Sequence, residues 1–299
     1  MKRLVGLGAN VLDSLISCES FPVEDKKIRA EKITLSGGGP VGNALVIASK
    51  LGAPTVAIGA LADDEAGARI LSELKQFGVN VDGVQVVPHT TSFVSYVILS
   101  ESRGSRTCLY HRGTVPDDAE TISLSAINAD TILHLDGNYL KSALKAARYA
   151  KEVGALVSLD AGGLYEGIEE LLPLVDILIP SAEFAMGLTG MATARDAMFA
   201  LYERYHPHVL VVTDGENGGY YMENGEALCY DSFKVKAVDS NGAGDTFHGA
   251  FLSEYMKGAG VYECCRFAGA VSAYKCIHKG VRTFDLNRTM IHAFMGKQK

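Results

Sequence analysis

Asp239-Ser240-Asn241-Gly242-Ala243-Gly244-Asp245-Thr246-Phe247 is the stretch on which the reading of this chain turns. It lies between an extended segment, residues 233–238, and an apolar run, residues 246–256, that predicts a helix. A glycine-rich bend at a helix start leaves backbone N–H groups unpartnered and adds the positive end of the helix dipole. Such a bend is an anion hole, suited to the charge that builds on a phosphoryl group in transfer. Asp245, in the first turn, lies beside the hole, where a carboxylate can take the proton of an attacking hydroxyl. The plainer alternative makes Asp245 a helix N-terminal acid worth about 0.5 kcal/mol. Asp239 and the two closely placed glycines favour the chemical reading.

Outward from this bend, the chain alternates short apolar runs with helical periodicity. Residues 2–7, 54–60, 131–135, 156–160, 177–179 and 209–213 read as strands, and residues 43–51, 65–77, 140–153 and 194–205 as helices. That alternation predicts an α/β fold with three layers, a mostly parallel sheet flanked by helices. Residues 91–99 and 106–112 break the rhythm as a hairpin turning at 101–105. With residues 11–17 and 28–35 they predict a small β-sheet lid, built from segments about 12–36 and 90–113 of one domain spanning 1–299. A second glycine run, Gly37-Gly38-Gly39-Pro40-Val41-Gly42-Asn43, opens the helix at 43–51. Its glycines let a ligand approach the backbone, and Asn43 offers a donor and an acceptor suited to sugar hydroxyls. A flexible turn before an N-cap is the competing reading.

Composition narrows the class of function. The chain has 299 residues, a net charge of −7 and no basic cluster, which argues against nucleic acid as a partner. Its six cysteines form no Cys-x-x-Cys and no zinc-ligand spacing, in keeping with a reducing compartment. No uncharged stretch reaches membrane-span length, and Gly6, Gly8, Asn10 and Asp13 interrupt the apolar start, so the expectation is a cytoplasmic protein. There is no Gly-x-x-x-x-Gly-Lys-Ser/Thr, and Val11 stands where a dinucleotide fingerprint needs its third glycine.

Gly38-Gly39-x-x-x-Asn43 and Asp239-x-x-Gly242-Ala243-Gly244-Asp245-Thr246-Phe247, with Thr213-x-Gly215-x-x-Gly218 between them, resemble the signatures of ribokinase-like (PfkB-type) carbohydrate kinases over nearly the whole chain. Pro22-x-Glu24-Asp25-x-x-Ile28-Arg29, Arg106-Thr107 and Arg266-Phe267 are locally most similar to ketohexokinase-like members. The resemblance implies ATP-dependent phosphorylation of a ketose or pentose hydroxyl, with Asp245 as base and the amides of Gly242, Ala243 and Gly244 as anion hole. It implies sugar contacts from Asn10, Asp13, Gly38, Gly39, Asn43 and Asp136, and from Arg106 near substrate or phosphate, although a solvated surface arginine is an equal reading of Arg106. Thr213, Gly215 and Gly218, with Gly242 and Gly244, would flank ATP, and residues 270–280 would line the adenine pocket. Mg²⁺ would sit near Glu183, and a monovalent cation such as K⁺ near Asp239.

One departure is plain. Where the family carries Asn-x-x-Glu, this chain reads Ser181-Ala182-Glu183-Phe184, so Glu183 stands one residue early. That change motivates a competing class, a catalytically silent sugar-binding or regulatory homologue. Within the kinases the runner-up acceptor is a nucleoside. The polar set Asn10, Asp13, Asn43 and Asp136 better suits a small polyol. The uncovered face of a β lid further predicts a homodimer.

Overall fold

Residues that alternate between two buried faces build the main sheet. The computed structural model describes residues 2–103, 105–118 and 120–297, so Gly104 of the expected hairpin turn lies outside them. The chain runs through β1 (Arg3–Leu7), β2 (Val11–Cys18), β3 (Lys32–Gly38), α1 (Pro40–Lys50), β4 (Thr55–Ala62), α2 (Glu65–Gln76) and β5 (Asn80–Val87). It continues through β6 (Val94–Ser100), β7 (Ser105–His111), β8 (Thr131–Leu135), α3 (Leu140–Glu152), β9 (Leu156–Ala161), β10 (Ile177–Pro180), α4 (Ala182–Thr189) and α5 (Ala194–Tyr205). The last elements are β11 (Val209–Thr213), β12 (Gly219–Glu223), β13 (Glu226–Tyr230), α6 (Ala243–Tyr255), α7 (Val261–Cys276) and α8 (Arg288–Lys297).

Nine strands pair in the order β13-β12-β11-β10-β9-β8-β1-β4-β5, all parallel except the hairpin formed by β12 and β13 on the β11 edge. Leu4, Ile132, Ile177, Val209 and Val211 face α1, α2, α6, α7 and α8. Their neighbours Val5, Leu133, Leu178, Leu210 and Val212 face α3, α4 and α5. Both faces of the sheet are therefore covered, as a parallel sheet requires. From β1 the chain first builds outward through β4 and β5, then crosses to β8 and builds the other way. The crevice at the carboxyl ends of β1 and β8 is thus a topological switch point, the place where open α/β sheets hold ligands.

A second sheet has the order β3-β2-β6-β7. Side chains paired across a ladder share a face. Ser36, Asp13 and Ser95 form one row turned inward, with both serines buried. The next rows, Leu35-Ser14-Tyr96-Leu109 and Ile33-Ile16-Ile98, form the outer face.

At the two glycine runs three boundaries differ from the sequence expectation. β3 extends to Gly38 and α1 begins at Pro40, whose fixed φ suits the first helical position. α6 begins at Ala243, because Gly242 at φ 70° turns the chain directly into the helix. No helix among the described residues is long and apolar enough to cross a membrane.

Candidate active site

The bend before α6 turns at Gly242, at φ 70°. A side chain on Gly242 would collide with Val281, whereas Gly244 faces open space. The N–H of Ala243 leans back on the Ser240 carbonyl at 3.3 Å. The N–H groups of Gly244 and Asp245 belong to the first turn, which has no intrahelical acceptors for them.

Asp245 touches the other glycine run through a single bridge. Asn43 donates from Nδ2 to Asp245 Oδ2 at 2.7 Å, while its Oδ1 accepts from Arg282 Nε at 2.8 Å. Only this orientation of the amide gives each end a complementary partner. Arg282 also donates from Nη2 to the Gly38 carbonyl at 2.9 Å and is wholly enclosed, which lowers its pKa to about 10. Asn43, expected to hold sugar hydroxyls, is instead buried with both ends of its amide engaged by protein. It locks the carboxylate in place.

The remaining sugar-side residues converge from the carboxyl end of β1 and the inner face of the small sheet. Gly39, at φ 88°, lies so close to the Ala9 carbonyl that no side chain fits. A side chain on Gly38 would strike the Asp13 carboxylate. Asp13 accepts from Ser95 Oγ at 2.5 Å, and burial outweighs that bond to push its pKa up. Asn10 turns its buried Oδ1 toward Gly42, where the Arg282 guanidinium also lies, so that a side chain on Gly42 would strike both. Asp136 is placed differently from its expected role. Its carboxylate accepts from the N–H of Ala9 and of Asn138 and is buried, so it pins the Ala9–Asn10 bend from beneath. Burial raises its pKa to about 6 in spite of those two bonds.

Beneath Asp245 lies a buried polar cluster that sequence reasoning missed. Asp160, at the end of β9, faces His248 Nε2 at 3.2 Å. His248 lies three residues beyond Asp245 on α6 and packs on the His134 ring with centroids 5.4 Å apart. Burial holds His134 neutral, with a pKa of about 3. Enclosure first, and the Asp160 charge second, raise the pKa of Asp245 to about 6, against the pull of the Asn43 bond. These residues are single letters far apart in the chain, and only the pairing of β8 with β9 and their packing against α6 unite them.

On the far side of the α6 N-terminus opens a cavity of about 560 Å³, within the range of small-ligand sites. Thr213, Gly215, Gly218, Ala243 and Gly244 line it, as do Ala273 and Cys276 from the segment expected there. Glu183 lines it too. Ser181 caps α4 by accepting from the Phe184 N–H, which turns Phe184 into the core and leaves Glu183 facing outward. Asp214 and Glu216 line the cavity as well, and one or two such carboxylates are what Mg²⁺ usually takes, with phosphate and water completing its shell.

Asp239 does not fit its expected role as a cation ligand. Its Oδ1 accepts from the Asn241 N–H and its Oδ2 from the Gly280 N–H. Its backbone carbonyl accepts from Lys275 Nζ at 2.7 Å, and the same ammonium lies 3.2 Å from Oδ2. Arg106 also stands apart. It shares the inner face with Asp13, but the ladder register places it level with Ser17, four residues or about 13 Å further along. Its strand is exposed throughout.

A carboxylate on a glycine-rich helix start, between a polar crevice and a nucleotide-sized cavity, defines a phosphotransferase type of site. Residues 1–288 match the pfkB family carbohydrate kinase profile, and the chain belongs to that family. It is 26% identical to the ribokinase of Bacillus subtilis over 277 residues, covering 91% of this chain and 92% of that one. It is 27% identical to the ketohexokinase of Mus musculus over 299 residues, covering 95% and 98%. The Arabidopsis thaliana ribokinase, solved with ribose and ATP, superposes with a TM-score of 0.85 at 26% identity and 99% coverage of both chains.

Proposed function

We propose that this carbohydrate kinase transfers the terminal phosphoryl group of ATP to a hydroxyl of a small ketose or pentose, with Asp245 as the base. The observation that carries the reading is the placement of Asp245 between two compartments. One is the cavity lined by Thr213, Gly215, Gly218 and Gly244, and the other is the crevice of Asn10, Asp13, Gly38 and Gly39. The sugar enters the crevice beside Asn10, where the Asp13 carboxylate accepts hydrogen bonds from its hydroxyls. Asp245, held by Asn43 and so by Arg282, takes the proton of the attacking hydroxyl. The N–H groups of Gly242 and Gly244 serve the charge that develops on the migrating phosphoryl, and the Ala243 N–H joins them by leaving its long bond to Ser240. Glu183 would hold Mg²⁺ on the protein side, and the ion would supply neutralisation of the phosphate charge. The small sheet serves as a lid over the sugar, its inner face presenting Asp13. Arg106, level with Ser17 on the exposed strand β7, is not given a sugar contact in this reading.

The ribose of the Arabidopsis structure and the names of the Bacillus and mouse relatives support a sugar acceptor. The outer face of the small sheet supports a further element, a homodimer. Ile33, Tyr96 and Leu109 are 63%, 50% and 54% exposed on one contiguous apolar surface, the kind that marks an interface. The test of function is Mg²⁺-dependent ADP release across a panel of ketoses, pentoses and nucleosides. Release with one or a few of the sugars is expected. Silence on every acceptor, with sugar binding retained in thermal shift, would favour a catalytically silent homologue instead.

A further inference from the structure

Lys275 is a fully buried lysine in the last turn of α7, with its ammonium directed at the bend that carries the anion hole. A lysine is almost never buried without a partner. The partner here is Asp239, met twice, through the backbone carbonyl at 2.7 Å and through Oδ2 at 3.2 Å. A carbonyl oxygen and a carboxylate oxygen converging on one point are the donor set a monovalent cation would use, and the family resemblance placed one beside Asp239. The ammonium of Lys275 stands on those oxygens already.

The rest of the connection makes the position consequential. The N–H groups of Val238 and Asp239 both donate to the Cys276 carbonyl, at 2.8 and 3.1 Å. The Gly280 N–H reaches Asp239 Oδ2, and Asn241 N–H reaches Oδ1. The end of α7 and the start of the bend are thus stitched together around one positive charge, three residues before Gly242. Ser272 adds a bond from its Oγ to the Ala243 carbonyl at 2.8 Å. A charge fixed there does two things that a dissolved ion does only while bound. It neutralises Asp239 behind the anion hole, and it holds the bend in the conformation that aims its amides at the phosphoryl group.

We infer that Lys275 is a tethered cation, a positioning residue that replaces a bound monovalent ion and frees the enzyme from any requirement for one. The inference rests on the kinase reading for its functional consequence, while the occupancy of the site is testable without it. An ammonium anchored by its own chain cannot be diluted away, so turnover should be indifferent to the monovalent salt.

The experiment compares the wild-type protein and Lys275→Ala in K⁺, Rb⁺ and tetramethylammonium chloride at equal ionic strength. Wild type is expected to show less than about a twofold change in kcat and no shift in Tm among the salts, since an ion that does not bind cannot shift stability. Lys275→Ala should lose roughly tenfold or more in kcat in tetramethylammonium, less than the about 10²- to 10³-fold cost of removing a donor that touches the oxyanion itself. K⁺ or Rb⁺, but not the bulky tetramethylammonium, should restore part of that loss and raise the Tm of the variant. In Rb⁺-soaked crystals an anomalous peak at the Asp239 carbonyl is expected in the variant and not in wild type. A Rb⁺ peak there in wild type, or severalfold activation of wild type by K⁺, would overturn the inference. Both wild-type arms stand even if the variant does not fold. If wild type releases ADP with no acceptor, the kinase reading has failed, and the crystallographic and Tm arms still decide the tethered cation.

Discussion

Asp245 combines two demands that pull against each other, a carboxylate ready to accept a proton and a setting that makes carrying charge costly. Enclosure on α6 and the nearby Asp160 raise its pKa to about 6. A carboxylate near neutrality is a stronger base than a free one while still ionised at pH 7. Because the ionised form is the working one, kcat/KM should rise with pH and level off above about pH 6. Asp160→Asn removes a negative neighbour while keeping an acceptor for His248, so the pKa of Asp245 should fall. The acid limb of the pH profile should then move to lower pH; a limb that stays in place or moves upward would contradict this account of the base. The sign for stability is opposite. With a folded pKa of about 6 above the ordinary carboxylate value of 3.8, Asp245 favours folding fully at low pH and loses that contribution as pH rises through 6. Several residues at this scale were legible in advance. Asp245 and its glycines announce themselves by spacing, but Asp160, His248, Arg282 and Lys275 do not. Each is a single residue whose partner lies tens to hundreds of positions away.

At the scale of elements, legibility followed periodicity. The alternation of strands and amphipathic helices gave away the parallel sheet, and the small sheet showed as its interruption. Helix α7 escaped because it is buried on several sides and has no clean polar face. Helix α4 escaped because it is only eight residues long. The hairpin of β12 and β13 carried a readable signal that went unused, Asn224-Gly225, both at positive φ as a tight hairpin turn demands. The small sheet makes a prediction of its own. Its outer rows put Ile33, Leu35, Tyr96 and Leu109 on one uncovered face, and pairing of that face with a second copy would bury them. Light scattering at micromolar concentration should give twice the chain mass, and Tyr96→Asp with Leu109→Asp should return it to one. A wild-type protein of single-chain mass would rule the dimer out.

For the molecule as a whole, the site exists because separate pieces meet at one switch point. β1 and β8 provide the crevice, α1 and the tail around Arg282 fix Asp245, and α6 with α7 shapes the glycine-rich bend beside the cavity. What stayed hidden in the sequence is this meeting of distant parts, notably the conversion of Asn43 from an expected sugar contact into a brace. The measurement that tests the account most directly is ADP release by Asp245→Asn beside wild type, with binding of a non-hydrolysable ATP analogue measured on both. Loss of the base should lower kcat by about 10²- to 10⁴-fold. Analogue affinity should stay within about twofold, since the amides of the bend remain, and Tm should not fall, since a costly charge has gone. An Asp245→Asn protein that turns over at close to the wild-type rate would contradict it.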